Sequence, residues 1–187
     1  MITNGINNNP AFCGKPILKT SVLKKVQNAY SNADAHIVEL DFNNPSDYKA
    51  ADNLQTLWKG EEFLPMMLCS KTNESKRVFV LTSQDKDFEN MDSSKILGIV
   101  DFFLYDKTAD IKFLQADTNI IKQKNREIKG IGSSLIKGVC EYFKGLGFEE
   151  MQVFSRITEK PFYKKVFPNI QDRISTKDNS ANLVVKL

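Results

Sequence analysis

A glycine loop leading into a helix is predicted at Arg126-Glu127-Ile128-Lys129-Gly130-Ile131-Gly132-Ser133-Ser134-Leu135-Ile136. Gly130 and Gly132 have no Cβ atom, so the backbone there can adopt left-handed angles and approach a ligand closely. We expect Ser133 and Ser134 to cap free amides in the first helical turn. These amides have no partner within the helix and carry the positive end of its dipole. The loop is therefore a natural binding site for a phosphate or pyrophosphate.

The elements around this loop are predicted from hydrophobic periodicity. The helix continues at helical spacing through Leu135, Ile136, Val139, Cys140, Phe143 and Leu146. Gly145 and Gly147 then end it. A strand at 109–116 precedes the loop, and a second strand at 149–155 follows the helix. The order is therefore strand, loop, helix and strand.

The loop and a later segment resemble one known family. Glu127-Ile128-Lys129-Gly130-Ile131-Gly132 resembles the coenzyme A loop of the GNAT (GCN5-related) N-acetyltransferases, written Gln/Arg-x-x-Gly-x-Gly/Ala. Pro161-Phe162-Tyr163-Lys164-Lys165-Val166-Phe167 resembles the family's Phe-Tyr-x-Lys-x-Gly-Phe segment. The resemblance covers residues 109–187; from 35 to 106 it rests on element order. Three features depart from the pattern: Glu127 at the first loop position, Val166 in place of the Gly, and a longer linker from Ala116 to Gly130.

The resemblance implies an α/β domain with a single mixed, mostly antiparallel central sheet flanked by helices. A length of 187 residues suits one domain. We assign residues 17–187 to this domain and residues 1–16, rich in Asn and Gly, to a flexible N-terminal arm. A short helix is expected at 18–30 and a half-buried strand at 35–42.

Composition bounds the class of protein. The chain is 41% apolar and 26% charged, as in globular domains, and we find no apolar run long enough for a membrane span and no signal peptide. The odd set Cys13, Cys69 and Cys140 forms no CxxC pair, which favours free thiols in the cytoplasm. The chain has one His, so we expect no metal site and no histidine-based triad.

Charge is unevenly distributed along the chain. Residues 112–187 contain 14 Lys/Arg against 8 Asp/Glu, whereas the rest of the chain is acidic on balance. A basic C-terminal half suits a polyanionic cofactor such as coenzyme A, although a solvated basic face is an equal alternative. No basic cluster is interleaved with aromatic residues, so we expect no nucleic-acid partner.

The resemblance also implies a cofactor site for acetyl-CoA as co-substrate. In the family, the strand before the loop bulges and splays from the next strand, and the pantetheine arm pairs with its free backbone. The matching residues here are Leu114, Gln115 and Ala116. Backbone amides of the loop hold the pyrophosphate, and the loop residues are Ile128, Lys129, Gly130, Ile131, Gly132 and Ser133.

Catalytic candidates follow from the same resemblance and from the chemistry of amines. Tyr163 matches a family Tyr that protonates the leaving thiolate; the alternative is an aromatic anchor for its short helix. An attacking amine must lose a proton, so a carboxylate base is useful. We rank Asp117 and Asp101 first because we expect both to approach the strand gap. Glu61 and Glu62 are further candidates, since by the resemblance they could face the acceptor with Trp58 and Phe63. The alternative, which we favour, is that Trp58 and Phe63 are core residues and both Glu are solvated.

The expected function is acetyl transfer from acetyl-CoA to a primary amine by direct attack in a ternary complex. The acceptor is an amine on a small molecule or on a protein or peptide, and a homodimer is left open. Two alternatives stand: a non-catalytic GNAT-like module that binds coenzyme A or serves interactions, and an unrelated α/β nucleotide binder.

Overall fold

The computed structural model describes residues 14–58, 64–174 and 180–187, and the side chains of 173 and 174 are not described. The strands in these residues are β1 (Lys15–Val26), β2 (Ala29–Leu40), β3 (Lys76–Thr82), β4 (Ile96–Tyr105), β5 (Thr108–Ala116), β6 (Ile128–Lys129), β7 (Glu150–Arg156), β8 (Gln171–Ile174) and β9 (Ser180–Lys186). The helices are α1 (Pro45–Leu57), α2 (Leu64–Leu68), α3 (Thr118–Ile121), α4 (Ile131–Gly145) and α5 (Lys160–Val166).

Within the described residues the nine strands form one sheet in the order β6-β1-β2-β3-β4-β5-β7-β9-β8. Neighbouring strands pair antiparallel except β5 and β7, which run parallel. The mixed, mostly antiparallel sheet predicted from the sequence is therefore confirmed. Helices α4 and α5 pack on one face with the larger core cluster, and α1 and α2 cover part of the other face.

The N-terminal part of the chain differs from the prediction. The helix expected at 18–30 is wrong: β1 and β2 form a hairpin whose turn residues, Gln27 and Asn28, both have positive φ, of 48° and 74°. Two successive left-handed residues match the strand twist in tight hairpins. The arm assigned to residues 1–16 falls largely outside the described residues, but β1 already begins at Lys15.

Helix α4 begins at Ile131, with Gly130 in the left-handed region (φ 83°) as its N-cap. The expected serine cap is absent, because the helix start has no side-chain cap hydrogen bond and Ser134 Oγ donates instead to Ser21 O (2.8 Å). The predicted end is confirmed. Gly147 has φ 88°, and Phe148 N–H donates to Phe143 O (3.0 Å), closing the helix by a Schellman motif.

A bulge at Lys112 determines which way β5 side chains point. Asp101 pairs with Phe113 while Phe102 pairs with Ile111, which leaves Lys112 as an extra residue. Regular alternation along the strand predicts Ile111 and Phe113 on one face. In the structure Ile111 packs in the α4 cluster and Phe113 against the α1–α2 cluster, because the bulge reverses the alternation.

Candidate active site

Strands β5 and β7 part inside the sheet. They pair over four residue pairs, from Thr108–Glu150 to Ile111–Val153, and then each continues beyond the last pair, β5 to Ala116 and β7 to Arg156. At the closed end, Lys107 O accepts from Glu149 N–H (2.8 Å) and Glu150 N–H (3.2 Å). A gap that opens towards the end of β5 is therefore part of the fold, at the position that the resemblance implied.

The start of α4 lies against the freed part of β5. A Cβ atom at Gly132 would be 3.2 Å from Phe162 Cζ on α5 and 3.9 Å from Leu114 Cδ2 on β5. Gly98 on β4 is tighter still, since a Cβ there would lie 2.8 Å from Ile131 Cγ2. The absence of side chains at Gly98 and Gly132 thus lets the start of α4 pack closely on β4 and on the freed part of β5. The predicted glycine loop and the predicted strand gap meet at this place.

The loop amides are available for a ligand. Ile131, Gly132 and Ser133 are the first three residues of α4, so their N–H groups have no acceptor within the helix. Unpaired amides of this kind at a helix start, next to a left-handed Gly130, are suited to binding a diphosphate. Further back, Ile128 and Lys129 form β6 and pair with Lys24 and Leu23 of β1.

The long linker before the loop is anchored to the N-terminal hairpin. Lys25 N–H donates to Glu127 O (2.7 Å), and the Tyr30 hydroxyl donates to Arg126 O (2.7 Å). Lys129 Nζ lies 4.0 Å from the centroid of the Tyr30 ring. The extra length therefore carries the chain to the edge of β1, where two hydrogen bonds and a cation–π contact hold the loop entrance. Sequence reasoning missed Tyr30, because only the hairpin brings it near residue 126.

Asp101 is the buried carboxylate of the site. It lies on β4 opposite the bulge, is 2% exposed, and its Oδ1 accepts from Phe113 N–H (2.7 Å). Burial raises its pKa from 3.8 to about 6, against the lowering effect of Lys76, the Phe113 amide and Lys112. A carboxyl with this pKa is half protonated near pH 6 and can accept a proton at neutral pH. Asp101 thereby occupies the Phe113 N–H group next to the bulge, so this amide is not available to a ligand.

Asp117 has a different local environment. It is the N-cap of α3, and its Oδ1 accepts from Asn119 N–H (2.8 Å). Asn119 Nδ2 in turn donates to Leu57 O (2.8 Å), which fastens this turn to the end of α1. The structure thus gives Asp117 a capping role at the mouth of the gap, whereas it places Asp101 at the bulge itself.

Tyr163 is 5% exposed and belongs to the core cluster around α4. Burial, and secondarily the charge of Glu159, raise the pKa of its hydroxyl, so it is a proton donor at neutral pH. Its neighbour Phe162 is the residue that touches Gly132. Helix α5 therefore brings Phe162 to the start of α4, with the Tyr163 ring beside it in the core.

Other predicted residues have simpler positions. Gln115 Nε2 donates to its neighbour's carbonyl, Ala116 O (2.7 Å), so this side chain stays on its own strand. Trp58 is buried in the α1–α2 cluster and is a core residue. Glu61, Glu62 and Phe63 lie outside the described residues. In the described part of the chain, no group of three or more His, Cys, Asp or Glu side chains is placed to hold a metal ion, and no helix is long and apolar enough to cross a bilayer.

Comparison with solved structures identifies the fold. The ribosomal-protein-S18-alanine N-acetyltransferase of Escherichia coli matches with a TM-score of 0.56 at 12% identity, covering 81% of this chain and 93% of that one. Campylobacter jejuni N-acetyltransferase PseH, in complex with acetyl coenzyme A, matches at 0.50 and 19% identity, covering 80% and 98%. Tetrahymena GCN5 matches at 0.50 and 13%, covering 77% and 90%.

These neighbours show that the chain has the GNAT acyl-CoA N-acyltransferase fold, so the resemblance inferred from the sequence is confirmed at the level of the fold. No protein-family sequence model matches the chain, and the search of curated proteins finds no relative. At such low identity the activity is a separate question from the fold.

Proposed function

We propose that this protein is an N-acetyltransferase that moves an acetyl group from acetyl-CoA to a primary amine. The observation that carries the proposal is the contact between the loop and the gap. The position of a Gly132 Cβ lies 3.9 Å from Leu114 Cδ2, so the start of α4, with its unpaired amides, packs directly beside the freed part of β5. Neighbours of the same fold are N-acetyltransferases, one of them in complex with acetyl coenzyme A, which supports the same chemistry here.

The described residues fit acetyl-CoA. The loop from Ile128 to Ser133, with Gly130 left-handed, would hold the pyrophosphate through its backbone amides. The backbone of residues 114–116, beyond the last β5–β7 pair, would pair with the pantetheine amides. When bound, acetyl-CoA supplies the thioester, and every other step falls to the chain's own groups.

We assign the proton transfers to Asp101 and Tyr163. An unperturbed lysine-like amine has a pKa of about 10.4, so only roughly one in two thousand molecules is neutral at pH 7. Asp101 accepts the proton that the ammonium group must lose before its nitrogen can bond to the acetyl carbon. The carboxylate is 2% exposed, so water must relay that proton. As the carbon–sulfur bond breaks, Tyr163 gives its proton to the sulfur, and the second proton that the nitrogen loses on forming the amide restores the tyrosine.

Asp101 is preferred to Asp117 because of what each carboxylate already does. Asp117 accepts from a backbone amide as the cap of α3, and that bond is lost if it turns towards a substrate. Asp101 lies opposite the bulge with a pKa of about 6. At pH 7 most of this carboxyl is ionised and can accept a proton, and the pKa is high enough for it to hold that proton.

Calorimetry with acetyl-CoA tests the cofactor site. Gly132→Val places a branched side chain where even a Cβ is 3.2 Å from Phe162 Cζ. We expect affinity to fall at least ten-fold. The matched control is Gly145→Ala at the other end of α4, where a Cβ meets nothing within 4 Å and affinity should be unchanged. Wild-type affinity in Gly132→Val would remove this loop from the site.

Turnover is tested by an acetylation screen across peptides, polyamines, amino sugars and small amines. Tyr163→Phe should lower kcat with little change in acetyl-CoA affinity, because it removes one proton and almost no contact area. The burial of Asp101 and Tyr163 favours a second candidate, a non-catalytic module that binds coenzyme A. That candidate predicts binding without turnover for every amine class.

The acceptor and cellular context stay predictions. We propose a primary amine on a small molecule or on a protein or peptide, without nucleic-acid or membrane partners, in the cytoplasm. A homodimer stays open.

A further inference from the structure

Lys76 is a buried lysine that the sequence did not single out. It begins β3 and is 2% exposed, although lysines are almost never fully buried without a partner. Its sequence context, the first residue of a β-rich run, gives no signal of burial. The side chain is among the largest that the fold encloses completely.

The Lys76 ammonium group is held by the segment that follows α2. Nζ donates to Met67 O (2.5 Å), Ser70 O (2.9 Å) and Ser70 Oγ (2.8 Å), and it lies 5.7 Å from the centroid of the Phe42 ring. Three oxygen atoms match the three donors of an ammonium group. The hydrogen bonds therefore fix the position of the charge and tie the end of α2 to the sheet.

Lys76 and Asp101 share one face of the sheet. Val78 pairs with Asp101 and Lys76 pairs with Phe103, so the two charged residues are diagonal neighbours on adjacent antiparallel strands. Such neighbours have Cβ atoms roughly 7–8 Å apart, within reach of a long side chain. Among the described residues, the charges that act on Asp101 are Lys76, whose effect is the larger, and Lys112.

Each element that packs around Lys76 and Asp101 carries few other ionisable groups. Lys112 is exposed on β5 and pairs with Asp110. Burial lowers the pKa of Lys76, whereas Asp101 and Cys69, after α2, act to raise it, and Cys69 Sγ donates to Pro65 O (3.0 Å). On α1, the buried Asp47 accepts from the backbone N–H groups of Gly14 and Asp41, and the cluster around it is apolar. An uncharged Met would fill such a place at lower cost, because burying a charge is expensive.

We propose that Lys76 is a positioning residue whose fixed ammonium group favours the ionised form of Asp101 and links that carboxylate to the segment that follows α2. Its relevance to catalysis rests on the proposed role of Asp101 as base. The electrostatic link itself does not depend on any activity. A movement of α2 would then displace the Lys76 ammonium group and change the pKa of Asp101.

The test is a pH titration of the Asp101 carboxyl carbon by ¹³C NMR, with the resonance assigned by its loss in Asp101→Asn. In Lys76→Met the midpoint should move upward by roughly one pH unit, because an opposite charge is removed. Lys76→Arg, which keeps the charge, should titrate close to wild type. Lys112→Met is the matched control at an exposed lysine, and its shift should be smaller. An unmoved midpoint in folded Lys76→Met overturns the proposal.

Two further measurements keep the test decisive. Lys76→Gln keeps amide donors for Met67 O and Ser70 O without a charge and replaces Lys76→Met if that variant does not fold. In the wild-type protein, the ¹⁵Nζ resonance of Lys76 should move with the Asp101 midpoint, and its indifference to that titration would also overturn the link. If the wild-type protein neither binds acetyl-CoA nor shows turnover, the proposed function is contradicted. The Asp101 titration does not depend on that result.

Discussion

Replacing Asp101 by Asn measures how strongly the fold opposes the charge of that carboxylate. The pKa of Asp101 is about 6 in the folded chain against 3.8 for the ordinary group. The folded state therefore binds the proton more tightly than the unfolded state. The stabilising effect of this proton is present below pH 3.8 and is lost as the pH rises through 6. Asn has nearly the same shape, can still accept from Phe113 N–H, and has no charge to bury.

The magnitude follows from the pKa difference. Roughly two pKa units correspond to about 3 kcal/mol in the free energy of unfolding once the carboxyl is fully ionised. Linkage predicts about half of this cost at pH 5 and only a few tenths of a kcal/mol near pH 4. Relative to wild type, Asp101→Asn should therefore gain about 2–3 kcal/mol between pH 4 and pH 7 and little more above pH 7.

Urea unfolding followed by tryptophan fluorescence is the assay. Trp58 is the one tryptophan of the chain and is 1% exposed, so it reports the loss of the core. Asp92→Asn is the control, because hydrogen bonds from Ser94 lower the pKa of Asp92 and its replacement should cost stability at neutral pH. A difference between Asp101→Asn and wild type that does not change with pH would refute the reasoning. So would a slope of opposite sign.

Three further predictions concern the hairpin and helix α4. Tyr30→Phe removes the hydrogen bond to Arg126 O and should weaken acetyl-CoA binding by about five-fold, measured by calorimetry, if the hairpin holds the loop entrance; unchanged affinity would exclude this role. Gly138→Ala places a Cβ 2.3 Å from Ile37 Cδ1 and should cost about 1–3 kcal/mol in urea unfolding. Gly145→Ala, in open space, should gain up to about 1 kcal/mol, and a loss there would show that the helix end needs Gly.

The C-terminal half was predictable because its signals are local. Residues that are close together in the sequence determine the glycine loop, the apolar stripe of α4 and the end of the helix at Gly147. The hairpin was not, since Leu18 and Val22 are spaced four apart and mimic a helix face. Only the left-handed turn at Gln27 and Asn28 makes the two strands pair. One signal was overlooked. Asp117 followed by Thr118 is a helix N-cap pattern, and in the structure Asp117 is the N-cap of α3.

The candidate site was predictable in place but not in detail. The loop and Tyr163 were located by pattern. The burial of Asp101 and the bulge at Lys112 depend on the register between β4 and β5, which pairing across strands decides. The partner of Asp101 on β3, Lys76, depends on a second register in the same way. Neither the β3–β4 register nor the β4–β5 register can be read from the pattern of residues along one strand.

The short β5–β7 junction has a mechanical consequence. Six strands lie on one side of this junction and three on the other, and within each block the neighbouring strands pair antiparallel. The described sheet joins the two blocks through four residue pairs. A pantetheine chain lying in the opening would add backbone hydrogen bonds between the blocks and act as a removable tenth strand. Binding of such a ligand should therefore slow amide hydrogen exchange most in β5 and β7, the two strands that it would bridge.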